Sequence, residues 1–269
     1  MATLDSALWQ LDQTNRLADG TTWIHRLDSR AKLFTTLIFI LLVASHGPLE
    51  ISSLIPFIIY PAFLLFNAEL PLSYVVKRLF FAAPFVVFIA IFNPLIDTQT
   101  VNIAGYELRQ GWLSMSSILI RFVLTASAAL ILLASTGMSQ LCTALNQFGV
   151  PHLFTRQLLL LHRYMIVLLT EGLSLYRATQ LRRYGQRLTL TTGTNLLGQL
   201  LQRTTTRANR IHNAMLSRNF SGQISSAGTT TKLSKQDWSF IVGWCSLFIL
   251  MRNINLPLYL GQLLKGVWF

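Results

Sequence analysis

The sequence predicts an all-α integral membrane protein: about five transmembrane helices, with a cytoplasmic helical domain between the fourth and the fifth. Three observations lead there. Mean hydropathy is +0.48, with 52% apolar and 12% charged residues, more apolar than a soluble domain of 269 residues requires. Apolar runs of near-membrane length recur along the chain. The net charge of +12 is unevenly spread: 12 of the 22 Lys and Arg lie between Thr136 and Asp237, against two acids, Glu171 and Asp237. A basic block can meet nucleic acid, anionic lipid or an acidic protein groove. Among so many apolar runs, membrane topology explains it first, and no nucleic-acid partner is expected.

The spans follow in order. Leu33–Ser45 is apolar throughout but only 13 residues long; Leu49–Phe66 carries Pro56 and Pro61. Leu79–Ile96 is the third, Leu113–Thr136 the fourth, interrupted by Arg121, and Trp238–Met251 the fifth. A full crossing takes about 20 residues, so the first and last need their flanks. Proline inside a span is tolerable where packed neighbours take up the freed carbonyls.

Orientation follows from Lys and Arg. Arg16, Arg26, Arg30 and Lys32 precede the first span, Lys77 and Arg78 lie between the second and third, and the long basic segment follows the fourth. The alternation makes residues 1–32 a cytoplasmic N-terminal segment and 33–136 spans one to four. Residues 137–237 become a cytoplasmic domain, and 238–269 the last span and tail. Gln157–Ala178 is apolar enough for a sixth crossing. It contains His162, Arg163 and Glu171, however, and counting it would put the basic residues that follow on the wrong side. It is expected to be a long helix at or under the membrane, its apolar faces buried by neighbouring helices.

Catalytic patterns are missing. There is no GxxxxGK[ST], HExxH or GxSxG, and the five histidines (His25, His46, His152, His162, His212) form no i,i+4 pair. No catalytic residue, cofactor or metal site is expected. Cys142 and Cys245 lack CxxC spacing and read as small buried residues in a reducing setting. Arg121 either lines a pathway, snorkels, or bonds carbonyls inside the bundle.

One device occurs twice. "YRATQLRRYGQR" (Tyr176–Arg187) and "HNAMLSRNFSG" (His212–Gly222) each place an alanine four residues before an arginine: Ala178 before Arg182, and Ala214 before Arg218. Residues i and i+4 share a helix face, so a small residue sits one turn before each arginine, where another protein can approach closely. An aromatic follows at arginine+2, Tyr184 or Phe220, expected to pack the helix end onto its neighbour. The glycine after it, Gly185 or Gly222, is expected to stop the helix in left-handed geometry. The plainer reading is two basic helix C-termini, each arginine answering the helix dipole.

"LDSRAKL" (Leu27–Leu33), "FNPLI" (Phe92–Ile96), "RFVLTASAALILLAST" (Arg121–Thr136), "FGVPHLF" (Phe148–Phe154) and "LLLHRYMIVLLTEGLSLYRA" occur in an order and spacing that resemble one family. It is the T component, the energy-coupling transmembrane protein, of energy-coupling factor transporters, in its cobalt-type (CbiQ) branch. The two arginine repeats stand where that family has its paired Ala-Arg-Gly type motifs. The resemblance implies a non-catalytic subunit in the inner membrane of a prokaryote, its cytoplasmic domain a pair of coupling helices. The motif arginines, here Arg182 and Arg218, would dock into grooves on two ATP-binding subunits. A separate membrane subunit would hold the substrate, a divalent metal such as cobalt, with nickel or a vitamin as alternatives. The sequence departs from the motif with Leu181 and Ser217 before the arginines and Arg183 and Asn219 after them, which leaves Arg183 as an alternative anchor to Arg182.

Asp28 is expected to cap the first span while Arg30 and Lys32 meet lipid phosphates; the resemblance adds a role in holding the coupling helices. Pro151, Arg163 and Glu171 belong to the matched run and carry a structural or coupling role by the same resemblance. Thr125 and Ala129, at i,i+4, would let a helix approach closely, either from the substrate-binding subunit or from within this chain's own bundle. Two other classes remain: a membrane enzyme acting on lipid phosphates, disfavoured by the lack of paired acids or histidines, and a self-contained carrier, which should show more intramembrane charge or internal repeats.

Overall fold

A computed structural model describes residues 20, 22–47, 50–96, 100–103, 106–184, 189–220 and 233–253. The chain is an all-α membrane protein, built in order from α1 (Trp23–Arg26), α2 (Ser29–Ala44), α3 (Ile51–Asn67, with a 3-10 turn at Ile55–Ile58) and α4 (Leu72–Ile96). A two-stranded antiparallel hairpin, β1 (Thr100–Ile103) and β2 (Tyr106–Arg109), pairs Thr100 with Arg109. Then come α5 (Gln110–Gln147), α6 (His152–Arg182), α7 (Leu190–Ser217) and α8 (Lys235–Asn253). Among the described helices, Leu72–Leu95, Gln110–Gln147 and His152–Arg182 are long and apolar enough to cross a membrane. The shorter α2 and α8, of 16 and 19 residues, reach about 24 and 28 Å at 1.5 Å per residue.

The chain divides into two units. Of the described residues, one unit holds those from 20 to 137 and from 233 to 253, and the other those from 138 to 220. The boundary falls inside α5, where Gly137 has φ 72° and ψ 157°. A residue with a Cβ rarely adopts this backbone, and it interrupts the helical ladder.

In the first unit, α2 packs along α8, with α3 and part of α5 completing the core. Its centre is aromatic. Phe39 lies 4.7 Å from Tyr60 and 5.5 Å from Phe248, ring centre to ring centre, and Trp244 stands edge-on to Tyr60 at 4.9 Å. Lipid tails are as apolar as these rings, so hydrophobic transfer does not drive the packing. Close fit and interhelical hydrogen bonds do. The Tyr60 hydroxyl supplies such bonds, lying 2.8 Å from Thr36 Oγ1 and 3.3 Å from Thr35 Oγ1. Arg121 donates to the Gly47 carbonyl, which realises the carbonyl-bonding alternative for this intramembrane charge. Cys245 is half-buried, and Cys142, in the second unit, is buried; both are free thiols.

In the second unit, the tail of α5 ends in a left-handed turn. Gly149 has φ 91°, Val150 N–H reaches back to the Leu145 carbonyl at 3.2 Å, and Pro151 then caps the start of α6. Helices α6 and α7 run antiparallel. Only Thr155, Leu173 and Leu175 of α6 are buried, and no described residue of α7 is. The expectation that neighbouring helices bury the apolar faces of Gln157–Ala178 is therefore not met. Its leucines at 158, 161 and 168 are exposed, because α7 covers one side of α6 and no other described helix of the unit covers those leucines.

Candidate functional site

The two arginine repeats form the C-termini of α6 and α7, and their backbones stop in closely similar ways. In α7, Arg218 is the C-cap, and Asn219 turns left-handed (φ 55°). Phe220 N–H then bonds the Met215 carbonyl at 3.1 Å. This is a Schellman stop with asparagine in the role more often taken by glycine. In α6, Arg183 is the C-cap and Tyr184 turns left-handed (φ 51°). The residues that stop the helices are thus Tyr184 and Asn219, one or more places before the glycines expected to do so. Gly185 and Gly222 lie outside the described residues. The aromatics behave unequally: Phe220 is half-buried under the Arg156 guanidinium at 5.4 Å, whereas Tyr184 is 98% exposed among the described residues.

By backbone position, Arg183 rather than Arg182 corresponds to Arg218. Side-chain engagement separates them the other way. Arg183 is half-buried and donates to the hydroxyls of Thr189 and Thr192, tying the end of α6 to the start of α7. Arg182 and Arg218 are exposed, and neither bonds a described residue. Ala178 and Ala214, one turn earlier, are exposed as well, as is Asn219. Each helix end therefore presents a shallow, small-residue surface leading to an uncommitted guanidinium. Such a group is a planar, multiply donating cation that fits a carboxylate.

The two ends are far apart. Because α6 and α7 are antiparallel, Arg182 lies beside the start of α7 and Arg218 at its finish. The 28 residues of α7 separate them by about 42 Å. Glu171 fixes the antiparallel pairing near mid-length: its two carboxylate oxygens accept from Arg203 Nη1 at 3.1 Å and Arg207 Nη2 at 2.8 Å. Two arginines one turn apart thus grip one carboxylate. Glu171→Ala should loosen α7 without unfolding the chain. These pairs are partly exposed, so the expected cost is about 1 kcal/mol or less, read as faster amide exchange along Arg203–Arg210. Arg163, also assigned a structural or coupling role, is exposed and lies 6.0 Å from the ring of its neighbour Tyr164.

Asp28, Arg30 and Lys32 sit together at the first turn of α2. The Asp28 carboxylate accepts from Arg30 N–H at 2.9 Å, the capping role expected of it. The Arg30 guanidinium lies 3.9 Å from the same carboxylate. Lys32 does not meet lipid phosphates: it is 2% exposed, and its Nζ donates to the Ser135 carbonyl at 3.3 Å. Asp237 is a further partner of this turn. It is 5% exposed, accepting Asp28 N–H on Oδ1 at 3.0 Å and Ser234 N–H on Oδ2 at 2.8 Å. The spacing Ser234-x-x-Asp237 is that of a capping box, which was its only signal. No group of three or more His, Cys, Asp or Glu with metal-holding geometry occurs among the described residues.

The model of the CbiQ family, described as cobalt transport protein, matches residues 20–229. That interval contains α2 to α7 and both arginine-tipped helix ends. No match was found among curated proteins.

Proposed function

The chain belongs to the CbiQ family of cobalt transport proteins, and from that premise we propose that it is the energy-coupling subunit of an energy-coupling factor importer. It is a multi-pass membrane protein. In this reading it crosses the inner membrane of a prokaryote five times, with residues 137–237 on the cytoplasmic side. Arg182 and Arg218 each dock into a groove on one of two ATP-binding subunits, with Ala178 and Ala214 allowing close approach. Closure of those subunits moves α6 and α7, and the movement passes to a separate membrane subunit that holds cobalt. ATP hydrolysis belongs to the partners; this chain transmits force.

One observation carries the reading. The two uncommitted arginines stand at opposite ends of a hairpin about 42 Å long, a separation suited to two sockets rather than one. Arg183 remains the alternative anchor on α6, disfavoured because its guanidinium already serves Thr189 and Thr192.

Co-expression tests it. Membranes holding this chain alone should take up no radiolabelled cobalt(II) on addition of ATP. Membranes holding it with two nucleotide-binding subunits and a substrate-binding subunit should do so, and a tag on this chain should retain the ATPases. ATP-independent cobalt flux through this chain alone would instead identify a self-contained carrier.

A further inference from the structure

Among the described residues, the chain leaves the first unit at Gly137 and returns to it near Ser234, so two strands of backbone lead to and from the α6–α7 unit. Both strands are held by one turn of α2. On the outgoing strand, the break at Gly137 deprives the preceding carbonyls of their helical partners, and the buried Lys32 ammonium bonds one of them, Ser135. On the returning strand, Asp237 caps α8 through Ser234 and takes the backbone N–H of Asp28 with its other oxygen. Asp28 and Lys32 are four residues apart and share a helix face. Burial pulls the Lys32 ammonium down to about 8, and the carboxylates of Asp28 and Asp237 offset only part of that. The whole chain of contacts therefore runs Ser234, Asp237, Asp28, Lys32, Ser135.

We propose that Asp28 and Lys32 are positioning residues that clasp both strands joining the α6–α7 unit to the membrane bundle, so that displacement of that unit reaches the bundle instead of being absorbed at Gly137. The inference rests on the coupling role proposed above and adds the route of transmission. A buried lysine is a costly way to fill space, since a methionine packs similarly without desolvating a charge. What the ammonium adds is direction: it fixes one carbonyl, beside the glycine that would otherwise act as a free joint. The neighbouring Thr136 Oγ1 is buried with no hydrogen-bond partner.

The test compares Lys32→Met and Lys32→Arg in the full chain, purified with its ATPase and substrate-binding subunits in lipid vesicles. Three quantities are read: cobalt(II) taken up per ATP hydrolysed, the thermal midpoint, and amide exchange across residues 136–139. Lys32→Met should keep its subunits and its thermal midpoint, yet lose about tenfold in uptake per ATP, a size carried by residues that couple distant sites. Its 136–139 amides should exchange faster, and Lys32→Arg, which keeps a donor, should recover part of the ratio. An unchanged ratio, or a fall in uptake that merely tracks a fall in thermal midpoint, overturns the clasp. If the wild-type chain recruits no ATPase, the docking reading fails by itself. Exchange at 136–139 then still decides the clasp, and unchanged exchange in Lys32→Met refutes it.

Discussion

Reversing both helix-end charges, Arg182→Glu with Arg218→Glu, should abolish ATPase co-purification and ATP-driven cobalt uptake while leaving membrane insertion intact. Both side chains are exposed and bond no described residue, so the chain's own fold loses only about 1 kcal/mol or less per site, from a negative charge at a helix C-terminus. In the docked state each guanidinium would face a desolvated acceptor. Losing one partner of such a pair costs about 2–5 kcal/mol, much of it from the charge left unpaired, or about 30-fold to several thousandfold in affinity per site. The proper control is Arg210→Glu, another exposed arginine on α7 with no described partner; it should reduce binding by no more than the ~1 kcal/mol typical of exposed charges. Arg203 and Arg207 are poor controls, because they grip Glu171 and hold α7 against α6. Retained co-purification in the double variant, or equal loss in Arg210→Glu, would remove the docking role from Arg182 and Arg218.

A second large effect is steric. Ala178→Trp with Ala214→Trp should block ATPase recruitment as fully as the charge reversal, with both arginines still in place. Each alanine is exposed one turn before its arginine, on the face through which a partner must approach. An indole there meets open space in the isolated chain, so thermal stability in detergent should stay within about 0.5 kcal/mol of wild type, as for ordinary surface substitutions. Thr206→Trp, equally exposed on α7 but away from either end, should bind the ATPases normally. If the paired tryptophans leave recruitment intact, the partner does not approach over the alanines, and the surface leading to each arginine has been misassigned.

Much of the fold was legible because the bilayer imposes length and composition on its spans. Each apolar run fell within a helix or nearly so: Leu33–Ser45 in α2, Leu49–Phe66 around α3, Leu79–Ile96 at the end of α4, Leu113–Thr136 inside α5 and Trp238–Met251 inside α8. What composition misses is how far a helix continues once it leaves apolar sequence. Helix α4 begins at Leu72 and runs through Lys77 and Arg78, and α5 continues to Gln147 beyond the break at Gly137. Helical hydrogen bonding propagates without regard to polarity.

At the helix ends, spacing identified the repeat but not the use of each arginine. Arg183 is committed to two threonines only because the chain folds back after it, which no local pattern announces. Glycine looked like the natural stop, yet Tyr184 and Asn219 take the left-handed position one or more residues sooner. Lys32 misled most. At the start of a span it reads as an interfacial lysine, and only the arrival of α5 and α8 from more than a hundred residues away buries it beside Ser135 and Asp237.

Photo-crosslinking at the helix ends tests the central claim most directly. A photoreactive residue in place of Leu181, which is 80% exposed, or of Asn219, would sit next to Arg182 or Arg218 without replacing either. Irradiation of the assembled complex should give an adduct with an ATP-binding subunit from each position. The chain carrying both groups should give a species with two such subunits attached, and the same group at Thr206 should give none. Adducts at Thr206 matching those at the ends, or no ATPase adduct from either end, would contradict the assignment of one arginine-tipped helix to each ATPase.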